Sequence, residues 1–151
     1  MDARNMATLW TQDPAFDTTT QQEAREILMD NEKLLATFGT ELHFGTGGLR
    51  GILGTGTARM NRYTVARATL GLAHYLKKQY KAPSVAIAHD SRHGSEEFTQ
   101  AAAEVLCAEG VKVHVFDTLA PTPMLSYAVR VLHCSAGVMI TASHNPAIYN
   151  G

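Results

Sequence analysis

The sequence predicts an α/β fold with a mainly parallel (mixed) β-sheet and helices on both of its faces. Two observations support this class. Three short β-type runs, over 84–89, 111–116 and 135–141, alternate with helical runs of about a dozen residues, which is the pattern of βαβ crossovers. The chain of 151 residues, 45% of them hydrophobic and 18% charged, is also long enough to bury the core of one globular domain.

The N-terminal segment, residues 1–40, is predicted to be a helical arm that precedes the domain. Thr20 and Glu23 have the spacing of a capping box, and Gly39 suits a left-handed C-terminal cap, so one helix is expected over 20–39. A glycine-rich loop follows. Asn61 can then cap a long helix, because apolar residues recur every three or four positions after it.

The domain is predicted to span residues 41–151. It contains the glycine-rich loop, the long helix and, in the second half of the chain, the sheet. Ser95 is expected to cap the helix after the first strand and Gly110 to end it, and a short helix is expected over 124–132. The loops "DSRHGS", "DTLAPTP" and "ASHNP" follow the three strands. Because functional loops lie beyond the carboxyl ends of parallel strands, these three are expected to converge at one edge.

Composition and charge exclude several classes of function. The formal net charge is −1 and the arginines are scattered, so neither a nucleic-acid surface nor a membrane surface is indicated. No apolar run reaches the length that spans a bilayer and no signal peptide is evident, so a cytoplasmic protein is expected. Cys107 and Cys134 have no metal-like spacing, and both are predicted to be small buried apolar residues.

The stretch "GTGGLRG", residues 45–51, excludes two nucleotide-binding motifs. It lacks the Lys-Ser/Thr pair of a P-loop, and Arg50 stands where a dinucleotide fingerprint needs glycine. One remaining interpretation is a loop in which Gly47 and Gly48 let backbone N–H groups approach an anion while Arg50 offers a planar cation to phosphate oxygens. The other is a tight turn with a surface arginine, and the residues alone do not separate the two.

Ser143 follows the third strand directly, and its hydroxyl could face the functional edge of the sheet. The surrounding residues do not form the G-x-S-x-G turn of a serine hydrolase. His144 is a poor partner for its neighbour if the loop is extended, since adjacent side chains then point apart. Because Ser, Asn and Pro are common in turns, the residues alone favour a polar turn over a catalytic one.

Four stretches, in order along the chain, resemble the α-D-phosphohexomutases, the phosphoglucomutase and phosphomannomutase family. They are "FGTGGLRG", "AIAHDSRHGSEEF", "APTPMLSYAVR" and "TASHNP" followed by "YNG". The resemblance covers about 42–151 and is greatest to the branch of bacterial phosphoglucomutases and phosphoglucomutase/phosphopentomutases. It implies the α/β/α domain I of that family, ending early at its C-terminus.

The resemblance implies that Ser143 carries a phosphoryl group. In this family the phosphoserine exchanges that group with a hexose 1-phosphate or 6-phosphate through a bisphosphate intermediate. Arg50 is then the catalytic cation and, with Gly47, Gly48 and Asn145, a phosphate-binding residue, and His144 is expected to assist with charge or proton transfer. Arg92 is expected to be structural and to pair with Asp90 across a turn.

The resemblance also implies Mg²⁺ and an activator of the glucose 1,6-bisphosphate type. This chain would contribute one metal ligand, the phosphate on Ser143, and the others would come from domain II. On this resemblance domains II to IV are expected to be absent from the 151 residues. The chain alone is then expected to be inactive, with the mutase reaction belonging to a full-length parent that uses a phosphosugar substrate. The alternative is a non-catalytic phosphosugar-binding or interaction module, or an inactive truncated gene product.

Overall fold

The computed structural model describes residues 2–151, which form two compact units, one ending at Asn61 and the other spanning Arg62–Gly151. Helices and strands alternate in the second unit, whereas helices predominate in the first. Within residues 2–151 we find no helix with the length and apolar character needed to cross a bilayer.

The first unit contains three helices followed by three two-residue strands. They are α1 (Ala3–Gln12), α2 (Thr18–Leu28), α3 (Asn31–Phe38), β1 (Phe44–Gly45), β2 (Gly48–Leu49) and β3 (Gly51–Ile52). An aspartate caps each helix: the side chains of Asp2, Asp17 and Asp30 accept hydrogen bonds from backbone N–H groups in the first turn. Such caps satisfy donors that have no partner within the helix.

The prediction of one helix over 20–39 is wrong, because Asp30 divides it. Asp30 Oδ1 accepts from the N–H groups of Glu32 and Lys33 at 3.0 and 3.1 Å, which starts a new helix in the middle of the predicted one. Thr20 is not the cap of α2, since its own N–H donates to Asp17 Oδ1 at 2.8 Å. The Glu23 carboxylate accepts a hydrogen bond from the Thr55 hydroxyl instead of closing a capping box.

Gly39 is also not left-handed. Its φ is −69°, within the helical region, and a Cβ built there would lie 2.3 Å from the carbonyl oxygen of Leu35. The glycine is therefore required by a close backbone approach rather than by a positive φ.

An aromatic cluster forms the core of the helical part of this unit. Trp10 stacks on Phe16 with ring centroids 4.3 Å apart and meets the edge of Phe38 at 5.4 Å. Such offset and edge-to-face pairs add to the free energy of burial. Within the predicted helical arm only the helix over 20–39 was given bounds, and α1, which brings Trp10 into this cluster, lies before it.

The second unit contains three helices and four strands. They are α4 (Arg62–Gln79), β4 (Ser84–His89), α5 (Ser95–Ala108), β5 (Lys112–Val115), α6 (Thr122–Val131), β6 (Ala136–Ile140) and the two-residue β7 (Tyr149–Asn150). β4 pairs in parallel with β5 on one side and β6 on the other, so the sheet order is β5-β4-β6. The chain moves one way across the sheet from β4 to β5 and the opposite way from β5 to β6. Because crossovers are right-handed, α5 and α6 then cover opposite faces.

The packing of β4 agrees with this topology and confirms the predicted α/β class. Ala86 and Ala88 form a buried cluster with Leu125 of α6. Val85 and Ile87, fully buried as well, alternate onto the other face. Gly137 of β6 leaves room for α6, since a Cβ there would lie 2.8 Å from a methyl group of Val129.

Several local predictions in this unit have different outcomes. Gly110 ends the helix as predicted, with a φ of +74°. The residue before α5 is Gly94, which is left-handed and offers no side-chain cap, whereas Ser95 is the first helical residue. The prediction that both cysteines are buried is wrong, because Cys107 is exposed and Cys134 half-buried.

Candidate functional site

Ser143 lies on the loop that follows β6, at the carboxyl edge of the parallel sheet. Its φ is +53°, so its backbone is left-handed although it is not a glycine. This conformation is uncommon for residues that carry a Cβ and persists where surrounding contacts fix it. The side chain is exposed, with the buried Ala142 just before it.

The Ser143 loop and the loop after β4 line an open cleft of about 420 Å³. Its lining residues are Asp90, Ser91, Arg92, His93, Ser143, Asn145 and Ala147. The volume is within the range of about 300–1,000 Å³ that is usual for small-molecule sites. Two of the three loops predicted to converge therefore meet here, and the loop after β5 does not contribute to the lining.

A relay of hydrogen bonds connects the two loops beneath Ser143. The Ser143 N–H donates to the Thr141 hydroxyl oxygen at 2.9 Å, and the Thr141 hydroxyl donates to Asp90 Oδ2 at 2.5 Å. Asp90 Oδ1 accepts from the Arg92 N–H at 3.0 Å and from the Ser95 hydroxyl at 3.1 Å. The relay fixes the backbone of Ser143 relative to the end of β4.

The Arg92 guanidinium binds the backbone of the Ser143 loop along most of its length. One terminal nitrogen donates to the carbonyl oxygens of Ser143 at 2.6 Å and Asn145 at 2.7 Å. The other donates to those of Pro146 and Tyr149, both at 3.1 Å. Its Nε lies 3.7 Å from Asp90 Oδ2. The predicted pairing of Arg92 with Asp90 is thus present, but most of the hydrogen bonds of this side chain go to the backbone of the Ser143 loop.

A buried amide anchors the far end of the same loop. Asn150 is fully buried, and its Nδ2 donates to the carbonyl of His93 at 2.9 Å and to the Ser95 hydroxyl at 3.0 Å. Its Oδ1 accepts from the Gly151 N–H at 2.7 Å. Buried polar groups that are satisfied in this way specify one geometry, because any other leaves donors or acceptors unpaired.

His144 lies closer to its neighbour than an extended loop would allow. Its Nδ1 is 3.4 Å from the Ser143 hydroxyl oxygen, because the left-handed turn at Ser143 brings adjacent side chains to one side. That separation is longer than a strong hydrogen bond, although catalytic contacts are often long before substrate binds. The side chains of Ser143 and His144 are therefore neighbours at the mouth of the loop, within reach of a weak hydrogen bond.

The other predicted site residues lie together in the first unit. β1 and β2 form an antiparallel hairpin in which Gly45 pairs with Gly48. Gly48 has a φ of +104°, which favours glycine, and a Cβ on Gly47 would lie 3.3 Å from a guanidinium nitrogen of Arg50. With His43 and Gly45, these three residues line a second, smaller pocket of about 290 Å³.

The residues that sequence reasoning missed at this site are those that hold the Ser143 loop in place. Thr141 and Asn150 were given no role, and Asp90 was assigned only a pairing with Arg92. The bonds from Thr141 to Asp90 and from Asn150 to His93 each join residues more than 50 positions apart, so no local pattern indicates them. The available signal was the polar turn at the end of β4, "DSR", opposite another polar turn at the end of β6.

Metal binding by the chain itself depends on clusters of His, Cys, Asp and Glu side chains. No group of three His, Cys, Asp or Glu side chains in that part of the chain is placed to hold a metal ion. The carboxylate in the cleft, on Asp90, accepts hydrogen bonds from Arg92, Ser95 and Thr141. The described residues therefore hold no cluster of three such ligands for Mg²⁺.

The fold and this loop match one protein family. The family model described as "Phosphoglucomutase/phosphomannomutase, alpha/beta/alpha domain I" matches residues 41–151. The chain belongs to the phosphoglucomutase/phosphomannomutase family.

Individual relatives give the same result. A protein named phosphoglucomutase from Staphylococcus haemolyticus is 53% identical over 114 residues, which are 76% of this chain and 21% of that protein. One from Staphylococcus aureus is 49% identical over 114 residues, with the same coverage of each chain. A crystal structure from Thermus thermophilus, described as a phosphomannomutase, superimposes with a TM-score of 0.69 at 34% identity, covering 74% of this chain and 25% of that one. The chain thus spans about a fifth of the length of the curated relatives that it matches.

Proposed function

We propose that this chain supplies the phosphoryl-carrying serine of a phosphohexomutase that interconverts hexose 1-phosphate and hexose 6-phosphate. The observation that carries the proposal is the presentation of Ser143: its hydroxyl is exposed at a cleft, and its backbone is fixed from beneath by Thr141 and Arg92. A hydroxyl fixed in this way suits phosphoryl transfer, which depends mainly on positioning and charge stabilisation. The names of the relatives support the same reaction class.

The proposed reaction has two transfers. In the first, the bond between phosphorus and the Ser143 oxygen breaks while a bond forms to a free hydroxyl of the hexose monophosphate, and the proton of that hydroxyl ends on Ser143. In the second, the other phosphoryl group of the resulting bisphosphate leaves its sugar oxygen and bonds to the Ser143 oxygen, and the serine proton passes to the sugar oxygen that is released. The protein is unchanged after both, and the sugar phosphate has been isomerised.

We assign the remaining predicted residues to this reaction as follows. His144, with its Nδ1 3.4 Å from the serine oxygen, takes part in moving the proton. Arg50, with Gly47 and Gly48 beside it, provides positive charge and a glycine backbone for a phosphate group, and Asn145 lies at the edge of the Ser143 cleft. A phosphosugar is therefore the proposed substrate class.

A Mg²⁺ ion, when bound, would neutralise charge on the transferring group. We assign to this chain a single ligand, an oxygen of the phosphoryl group on Ser143, because Asp90 is occupied by its hydrogen bonds. The further ligands are proposed to come from the part of the relatives that this chain does not span. The activator is proposed to be a glucose 1,6-bisphosphate, which can phosphorylate Ser143 directly.

One alternative is favoured by a specific observation. Residues 2–151 offer no group of three metal-ligating side chains, and a module that binds a phosphosugar or a partner without catalysis would need none. Mutase turnover by the 151-residue chain alone would exclude this alternative. We expect no such turnover.

The proposal is tested in a chimera. The 114 residues of this chain that match the S. haemolyticus phosphoglucomutase at 53% identity replace their counterpart in that protein. After incubation with glucose 1,6-bisphosphate and Mg²⁺, we expect phosphate on Ser143 by mass spectrometry and interconversion of glucose 1-phosphate and glucose 6-phosphate.

The control is the same chimera with Ser143→Ala, which should carry no label at that position and show no turnover. The intact S. haemolyticus protein serves as the positive reference. A folded chimera that exposes Ser143 but acquires no phosphate there would contradict the proposal.

A further inference from the structure

We infer that Arg92 is a positioning residue for Ser143, and that it binds the loop backbone instead of the phosphate of the substrate. The chemical role in this inference rests on the proposed function. The contacts between Arg92 and the loop backbone lie within the second unit and do not depend on that function. Arg92 lines the same cleft as Ser143, where an arginine would ordinarily be assigned to phosphate binding.

The N–H groups of the Arg92 guanidinium already face acceptors within the protein. A guanidinium has five N–H groups. The four on its terminal nitrogens donate to the carbonyl oxygens of Ser143, Asn145, Pro146 and Tyr149, and the fifth, on Nε, faces Asp90 at 3.7 Å. Only 15% of the side chain is exposed. A phosphate could bind Arg92 only by displacing contacts that shape the loop.

The same contacts orient the peptide groups around the serine. A trans peptide is planar, so the carbonyl of one residue points opposite to the N–H of the next. When Arg92 binds the carbonyls of Ser143 and Pro146, the N–H groups of His144 and Ala147 are directed away from the guanidinium. Neither N–H donates to an acceptor within the described residues.

Two N–H donors near a left-handed serine form the kind of concave, partly positive backbone surface that accepts anions. Arg92 therefore acts through the backbone. It binds the carbonyl oxygens on one side of the loop, and the N–H groups of His144 and Ala147 on the other side remain available to bind the phosphoryl group. Lysine could keep the charge but not the planar set of donors.

The first test uses the 151-residue chain without any substitution. An NMR experiment that detects couplings across hydrogen bonds should connect the terminal nitrogens of Arg92 with the carbonyl carbons of Ser143 and Asn145, the two shortest contacts. Ser143 should also show the strong intraresidue HN–Hα contact of a left-handed residue. Absence of both signatures in the folded chain would overturn the inference.

The second test compares Arg92→Lys with Arg130→Lys. Arg130 is an exposed arginine of α6 that contacts Ser126, so its replacement removes the same group away from the loop. In the 151-residue chain, R92K should shift the amide signals of Ser143, His144 and Ala147, and R130K should leave them in place. Unmoved signals in R92K would contradict the role assigned to Arg92.

Kinetics in the chimera then separate positioning from substrate binding. A misplaced reactive group can cost about 100-fold in rate, so we expect R92K to lower kcat by roughly that factor and to change KM for glucose 1-phosphate little. A raised KM with an unchanged kcat would show that Arg92 binds substrate and would overturn the inference. If the unsubstituted chimera takes no phosphate on Ser143, the proposed function fails, and the NMR tests still decide the role of Arg92.

Discussion

The left-handed backbone of Ser143 is energetically unfavourable on its own. For a residue with a Cβ, this conformation costs roughly 1–2 kcal/mol. The cost is offset by the bond from its N–H to Thr141 and by the binding of its carbonyl to Arg92. Loop shape here thus depends on two side chains that do not take part in the proposed chemistry.

Thr141→Val should destabilise the second unit, because valine keeps the shape but removes the hydroxyl. The Ser143 N–H and Asp90 Oδ2 would each lose a partner, and because both groups are partly open to water, each lost bond should cost about 0.5–1.5 kcal/mol. Thr141→Ser is the matched control, since it keeps the hydroxyl. Urea denaturation followed by circular dichroism measures both, and equal stability of the two variants would show that the relay contributes nothing.

Sequence reasoning singled out Ser143 at this site and missed the residues that support its loop. Ser143 stands out because "TASHNP" is a contiguous motif. The contacts of Arg92 were not found, because its acceptors are backbone carbonyls, and every residue has one. A side chain that binds the backbone leaves no pattern in its partners, so only the fold reveals the contact.

The bounds of helices and strands were predicted well where one sequence pattern ran without interruption and badly where a second pattern lay inside it. The first strand was predicted with its observed bounds, Ser84–His89, because its apolar run has no alternative partner nearby. The helix over 20–39 was wrong because Asp30 lies within an otherwise helical stretch and its side chain caps a new helix. Periodicity describes the apolar face of a helix, and it does not report where an internal aspartate will end the hydrogen-bonded ladder.

Two glycines of the second unit, Gly110 and Gly71, should change the free energy of unfolding in opposite directions when each is replaced by alanine. Gly110 ends α5 with a φ of +74°, so Gly110→Ala should destabilise by about 1 kcal/mol or more. Gly71 lies inside α4 with open space around a built Cβ, so Gly71→Ala should stabilise by about 1 kcal/mol. Thermal unfolding of both variants checks this, and a shift of the same sign in both would contradict it.

Taken as a molecule, the chain combines a helix-rich unit with a parallel α/β unit, and the family match begins at residue 41. The proposed division into an arm over 1–40 and a domain over 41–151 therefore differs from the boundary of compact packing at Asn61. Family motifs and compact packing need not divide a chain at the same residue, because a motif is defined by its chemistry and a unit by its contacts.

Stability of the α/β unit should depend most on the central strand. Ile87 is fully buried in β4, so Ile87→Ala should lower the free energy of unfolding by about 2–5 kcal/mol. Ile87→Val, which should lower it by about 0.5–1.5 kcal/mol, serves as the measurement if the alanine variant does not fold. Met29 is 91% exposed, so Met29→Ala should change stability by less than about 0.5 kcal/mol. Circular dichroism in urea gives the comparison, and a negligible effect of both changes at Ile87 would contradict the packing described for β4.

The aromatic cluster of the first unit has an optical consequence. Trp10 is the only tryptophan in the sequence, and it is buried against Phe16 and Phe38. Excitation at wavelengths selective for indole will therefore report the environment of the helix-rich unit, while the sheet and the Ser143 loop contain no such fluorophore. Emission and circular dichroism recorded on one sample would follow different parts of the same chain as it unfolds.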